Sequence, residues 1–219
     1  LVELLKKTDY DLRKLEGIEL PANLFADYKT DADNPIPVIY QSGYLTIKGY
    51  NKEFRSYTLG FPNEEVKYGF LNFLVPYYTG VPSNENLFNI RHFVNELRTG
   101  DVDGFLTRLR AFFAGIPYEL NDKTERHYQM VFYLVFRLLG QYVDVEERSA
   151  KGRADAVIKT KDYVYVFEFK LNGSVDEALK QIDDKGYLVP YIVDYRQLIK
   201  VGVSFDSAER NIGEWKRGN

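Results

Sequence analysis

The stretch GRADAVIKTKDYVYVFEFK, residues 152–170, holds two β-rich runs separated by a short polar turn. The second run, Tyr163 to Lys170, is nearly all apolar or β-forming, the pattern of a central strand buried on both faces. Glu168 and Lys170 break that pattern at its C-terminal end. Side chains alternate along a strand, so these two project together while Phe167 and Phe169 pack the other side. A carboxylate buried there is strongly disfavoured unless a cation or hydrogen bonds compensate, so Glu168 needs a partner. The preceding run, Arg153 to Lys159, supplies Asp155. With a two-residue turn at Thr160-Lys161, Asp155 falls opposite Val166, on the face of Glu168 and diagonal to it. A three-residue turn would send it to the other face. Two carboxylates converging in an apolar sheet repel without a cation between them, and hard oxygen donors suit Mg²⁺ or Mn²⁺. Lys170 then stands beside the attacking water or the scissile phosphate, where it orients the nucleophile and steadies developing negative charge. The bland alternative is a structural ion pair closing a strand end, Glu168–Lys170 or Asp155–Lys170.

Elements on either side extend this sheet. Thr124 to Leu139 has strong helical periodicity, with Asp122 or Thr124 as cap and Gly140 as stop. Tyr142 to Arg148 is a strand candidate. Ser174 to Tyr187 reads as a helix opened by a capping box, Ser174 with Glu177. Leu198 to Phe205 and Asn211 to Lys216 complete the set as strands. The order is α-β-β-β-α-β with a final strand. Upstream, residues 1–16 read as one or two short helices, and Pro21, Asp33-Asn34-Pro35 and Pro37 mark turns. Tyr44–Ile47 and Arg55–Leu59 form a hairpin, so helices followed by a hairpin give a winged-helix-like outline. Asn63 onward turns helical, with an apolar stripe up to Pro76, a helix from about Glu85 to Arg98 stopped by Gly100, and another capped by Asp101 and stopped by Gly115. Three regions result: a winged-helix-like part over 1–80, a helical connector over 81–117, and a catalytic-type core over 118–219. The fold class is α/β, α+β overall.

Composition narrows the function by exclusion. The 219 residues carry 29 Lys+Arg against 32 Asp+Glu, a net charge of -3, which argues against a protein that coats nucleic acid along its whole surface. Cys is absent, so thiol nucleophiles, disulfides and cysteine-held metals are excluded. There is no apolar run of membrane-spanning length and no secretory leader, which leads us to expect a cytoplasmic protein. No G-x-x-x-x-G-K-[ST] occurs, so we expect no nucleotide site in this chain. The start at Leu1 reads as a piece of something longer. His92 and His127 share no ligand spacing and read as ordinary helical residues. Arg148, Lys151, Arg153, Lys159 and Lys161 cluster around the acidic strands, as a phosphate track or as solvated strand ends. Tyr40, Tyr44, Tyr50 and Tyr57 read as a core face more readily than as base-stacking rings.

The same run, GRADAVIKTKDYVYVFEFK, resembles the D…(D/E)-x-K motif of the PD-(D/E)XK nuclease superfamily, and the α-β-β-β-α-β order is similar to the restriction-endonuclease-like core of that superfamily. It is most similar to the nuclease-like C-terminal domains of bacterial AAA-ATPase-like proteins. There the E-x-K is followed by a helix resembling ALKQIDDKGY, Ala178 to Tyr187, and residues 36–62 resemble the end of the ATPase-like region. Ala154 stands where the family name has Pro. The resemblance implies Asp155 and Glu168 as metal-binding acids, Lys170 as catalytic lysine and Glu125 as a further ligand. Gln181, Lys185 and Arg153 become substrate-facing positions. It also implies Mg²⁺- or Mn²⁺-dependent hydrolysis of nucleic acid, DNA above all, with an upstream ATPase-like domain as partner. The alternatives are a nuclease-fold module that binds or regulates the ATPase without turnover, and a winged-helix DNA binder.

Overall fold

The computed structural model describes residues 1–7, 10–21, 24, 34–117, 125–147 and 154–218. Among them are seven α-helices and two β-sheets, a mixed α+β protein. The chain divides into two compact units, Leu1–Leu74 and Val75–Asn219.

The first unit holds helix α1 (Val2–Lys7), strand β1 (Ile18–Pro21), helix α2 (Ile36–Gln41), and strands β2 (Thr46–Asn51) and β3 (Ser56–Gly60). The sheet order is β1-β3-β2, antiparallel throughout. The expected hairpin is present as β2–β3. Two features depart from the sequence expectation. Ile18–Pro21 is a strand, because β3, far along the chain, offers it a pairing edge. The prolines near 35–37 open a helix instead of a turn: Pro35 is the N-cap of α2 and Pro37 lies in its first turn, where a missing N–H does no harm. Leu5, Leu12, Leu15, Ile36, Ile39 and Leu59 are buried as its core. Tyr44 packs on Phe70 with ring centres 4.7 Å apart, and Tyr50 and Tyr57 pair at the same distance.

Helix α3 (Glu64–Thr79) begins in the first unit and ends in the second, running on past Pro76. The second unit continues with α4 (Ser83–Thr99), α5 (Val102–Ala114), α6 (Glu125–Leu139), β4 (Asp144–Glu147), β5 (Ala156–Lys159), β6 (Tyr163–Leu171), α7 (Val175–Asp184), β7 (Gln197–Asp206) and β8 (Asn211–Gly218). From α6 onward this is the expected α-β-β-β-α-β order with a final strand. Gly100 ends α4 in the left-handed conformation, and the Asp101 carboxylate caps α5 by accepting from the Gly104 N–H at 2.8 Å. The caps expected at Asp122 and Thr124 lie outside the described residues.

The five strands are ordered β4-β5-β6-β7-β8, so β6 is central. Only β6 and β7 run parallel, joined through α7. One face of β6 is an aromatic row. Phe167 packs on Phe105 and Phe136 at 5.8 and 5.9 Å, and Phe169 on Phe132 at 4.4 Å. Tyr165 donates its hydroxyl to the Leu97 carbonyl at 2.6 Å. Helices α4, α5 and α6 therefore cover this face, two of them from the 81–117 region. The opposite face carries Val164 and Val166 against Ile182 of α7 and Tyr187. Gly202 of β7 lets α7 approach closely, since a Cβ there would lie 2.6 Å from the Val175 carbonyl oxygen. Thus α7 is pressed onto the sheet beside Glu168.

Candidate active site

The β5–β6 turn decides where Asp155 falls. Thr160 N–H donates to the Tyr163 carbonyl at 2.9 Å and Tyr163 N–H to Thr160 Oγ1 at 3.1 Å, so the two-residue turn is Lys161-Asp162. The expected turn at Thr160-Lys161 is thus corrected by one residue, because the Thr160 hydroxyl closes the hairpin. The register becomes Ala156 with Phe167, whose continuation sets Asp155 opposite Glu168 and not opposite Val166. This shift moves the pairing by two positions along β6, so the facing parity is unchanged. Asp155 stands just before β5, and its Oδ2 accepts the Phe169 N–H at 2.8 Å.

Glu168 is only 3% exposed. Its Oε1 accepts from Lys170 Nζ at 2.9 Å and from the Gln181 side-chain amide, while its buried Oε2 has no hydrogen-bond partner. Lys170 Nζ also donates to Gln181 Oε1 at 2.6 Å, and Gln181 Nε2 to the Tyr187 hydroxyl at 3.4 Å. Burial first, and the charge of Asp155 second, hold the Glu168 carboxyl above the ordinary carboxylate range, with Lys170 and the Asp155 backbone N–H pulling the other way. Orphaned polar atoms are rare in protein interiors. A buried carboxylate oxygen with no hydrogen-bond partner, beside the charge of a second acid, is a place a cation fits.

Asp155, Glu168, Lys170 and Gln181 are thus brought together. Lys185 is exposed at the C-cap of α7, about one turn beyond Gln181, and makes none of these bonds. Arg153 lies outside the described residues, as do Arg148 and Lys151, and nothing is described of the Glu125 side chain beyond its place as first residue of α6. Among the described residues, no group of three or more acidic or histidine side chains gathers as a metal cage. Tyr187 is the member that sequence reasoning missed. No sequence signal marked it, because its hydroxyl meets Gln181 only through the way α7 lies over the sheet.

A buried Glu and a Lys stand two apart on the central strand, and an Asp from just before the neighbouring strand accepts from the backbone between them. Residues 123–215 match the family model of the PD-(D/E)XK nuclease superfamily, a span that holds all of these residues. The chain is also 29% identical, over 97% of its length, to an uncharacterized protein encoded in the vnfD 5′ region of Azotobacter chroococcum, of which it spans 43%. No solved structure matches it. Among the described residues, no helix is long and apolar enough to cross a membrane.

Proposed function

We propose that the Asp155–Glu168–Lys170 site hydrolyses phosphodiester bonds in nucleic acid, DNA in the first place, with Mg²⁺ or Mn²⁺. The observation that carries this reading is the buried Glu168 carboxyl, whose Oε2 has no hydrogen-bond partner and which feels the charge of Asp155. Asp155 and Glu168 would hold the cation, with Glu125 as a further ligand; when bound, it supplies a Lewis acid at the scissile phosphate. Lys170 places its ammonium group beside the acids, where it orients the attacking water and meets negative charge as it develops. Gln181 holds both Lys170 and Glu168, so it fixes the lysine's rotamer. Arg153 and Lys185 are proposed contacts for flanking phosphates. The same reading takes residues 1–80 as the winged-helix-like end of an ATPase-like region of a longer protein, which acts as the partner.

The test is cleavage of plasmid and of single-stranded DNA with Mn²⁺ or Mg²⁺. Cleavage stopped by chelation, and weakened on the order of a hundredfold or more in Lys170→Ala and in Asp155→Ala, is the expected result. Cleavage unchanged from the wild type in both variants would overturn the assignment.

A second reading is favoured by the fact that Lys170 Nζ already bonds both Glu168 and Gln181. In that reading the cluster is a structural network, and the domain docks a partner without turnover. A thermal shift with Mn²⁺ that disappears in Glu168→Ala supports the enzyme; no shift in the wild-type protein supports docking.

A further inference from the structure

Helix α7 ends in a turn that sends one aromatic ring back against the sheet. Gly186 takes the left-handed conformation, with φ 61°. Its N–H donates to the Asp183 carbonyl at 3.0 Å, and the Tyr187 N–H donates to the Ile182 carbonyl at 3.1 Å. In a glycine-stopped helix end of this kind, the second residue past the cap folds back onto the last turn. The Tyr187 ring accordingly joins Ile182 of α7, Val164 and Val166 of β6, and Ala154, the residue before Asp155, in one buried cluster. Only 8% of Tyr187 is exposed.

That ring carries its hydroxyl to Gln181, whose amide is fully engaged. Gln181 Oε1 accepts from Lys170 Nζ at 2.6 Å, and Nε2 donates to Glu168 Oε1 and to the Tyr187 hydroxyl, the latter at 3.4 Å. Two of these three partners, Glu168 and Lys170, are the groups that the nuclease reading commits to cation and substrate. Tyr187 is the third, and that reading gives it no role. Its contact is the longest of the three, so the acid and the lysine dominate the amide while both face it. When either turns to the substrate side, the hydroxyl is the partner that stays, because its ring is packed in the core. An amide held there keeps its oxygen toward the ammonium group and its nitrogen toward the carboxylate. An amide free to rotate presents donors to the ammonium group instead.

We propose that Tyr187 is a positioning residue: its hydroxyl holds the Gln181 amide, and through it keeps the Lys170 ammonium group in place beside Glu168. The proposal rests on the nuclease reading of the Glu168 site and deepens it by one residue.

Tyr187→Phe keeps the ring and removes the hydroxyl. In Mn²⁺-dependent cleavage of single-stranded DNA, kcat should fall about threefold to tenfold, the size of one net hydrogen bond, with KM unchanged. In a Gln181→Met background the same substitution should cause no further fall, since the hydroxyl acts only through the amide. A ring that merely supports the fold would lower activity by the same factor in both backgrounds. That result overturns the proposal, as does wild-type kcat in Tyr187→Phe. A second readout needs no cleavage. In chelator, the Gln181 side-chain amide signal, identified by its loss in Gln181→Met, should shift in the ¹H–¹⁵N spectrum of Tyr187→Phe. An unshifted signal overturns the contact, and if the wild type still cleaves, the nuclease reading stands without it. A shifted signal in a protein that cleaves nothing confirms the contact but overturns both the nuclease reading and the role of Tyr187 in it.

Discussion

At Glu168 the fold buries a carboxyl group whose Oε2 has no hydrogen-bond partner, beside the charge of Asp155. That arrangement lowers the stability of the metal-free protein, and the sign with pH follows. The native carboxyl holds its proton above the range where the unfolded chain releases it. Stability therefore falls as pH rises from the ordinary carboxylate value through the raised one, and the loss is complete above it. Glu168→Gln keeps an oxygen to accept from Lys170 and Gln181 while removing the charge. Without metal at neutral pH this variant should melt about 2–4 °C above the wild type, taking roughly 1 kcal/mol for the relieved burial. Its melting temperature should also lose the fall between acid and neutral pH. Added Mn²⁺ should raise the wild type and leave the variant unmoved, since binding to the native state alone stabilises it. A variant that melts lower at every pH and still responds to Mn²⁺ would show that the carboxylate is structural. Sequence alone singled out Glu168, Lys170 and Asp155, because charge in an apolar strand is conspicuous. The unpartnered Oε2 and the Tyr187 hydroxyl were not legible, because both depend on how α7 lies over the sheet.

Among the elements, α7 is the one that assembles the cluster, and its first half is held in two ways. The capping box was readable in sequence and is present: Ser174 Oγ accepts the Glu177 N–H at 3.1 Å, and Glu177 Oε2 accepts the Ser174 N–H at 3.0 Å. The close approach over Gly202 was not readable, since a glycine inside an apolar strand says only that something comes near. Hairpin register shows the same limit. The sequence left two- and three-residue turns open, the Thr160 hydroxyl that selects Lys161-Asp162 was not legible, and the pairing partner of Asp155 moved accordingly. β1 was missed because its pairing partner β3 is distant in sequence, and α2 because Pro35 and Pro37, read as turn markers, start a helix as readily. Gly202→Ala tests the role of α7. The added methyl meets backbone at 2.6 Å, so α7 must lift. The expected loss is about 1–3 kcal/mol of stability. It should be accompanied by a fall in cleavage larger than that in Ser174→Ala, which loosens only the helix start. Equal activities in the two variants would detach α7 packing from the site.

At the scale of the whole molecule, each unit has its own buried core. In Leu1–Leu74 this is Leu5, Leu12, Leu15, Ile39 and Leu59; in Val75–Asn219 it is the aromatic row of β6 with Phe105 and Phe136. The sequence reading divided the chain after residues 80 and 117, whereas the compact units meet at Leu74/Val75; the covering of the sheet by α4 and α5 was hidden, because amphipathic helices do not name the surface they bury. Two cores predict two transitions in calorimetry of the full chain. Leu59→Ala, at a site with no exposure, should lower one transition by about 2–5 kcal/mol. Mn²⁺ should raise the other, because the two acids proposed to hold it lie in residues 75–219. Neither perturbation should move its counterpart. A single transition that shifts as a whole under both would show that the two cores melt as one cooperative body, and that the Glu168 site draws its rigidity from the entire chain.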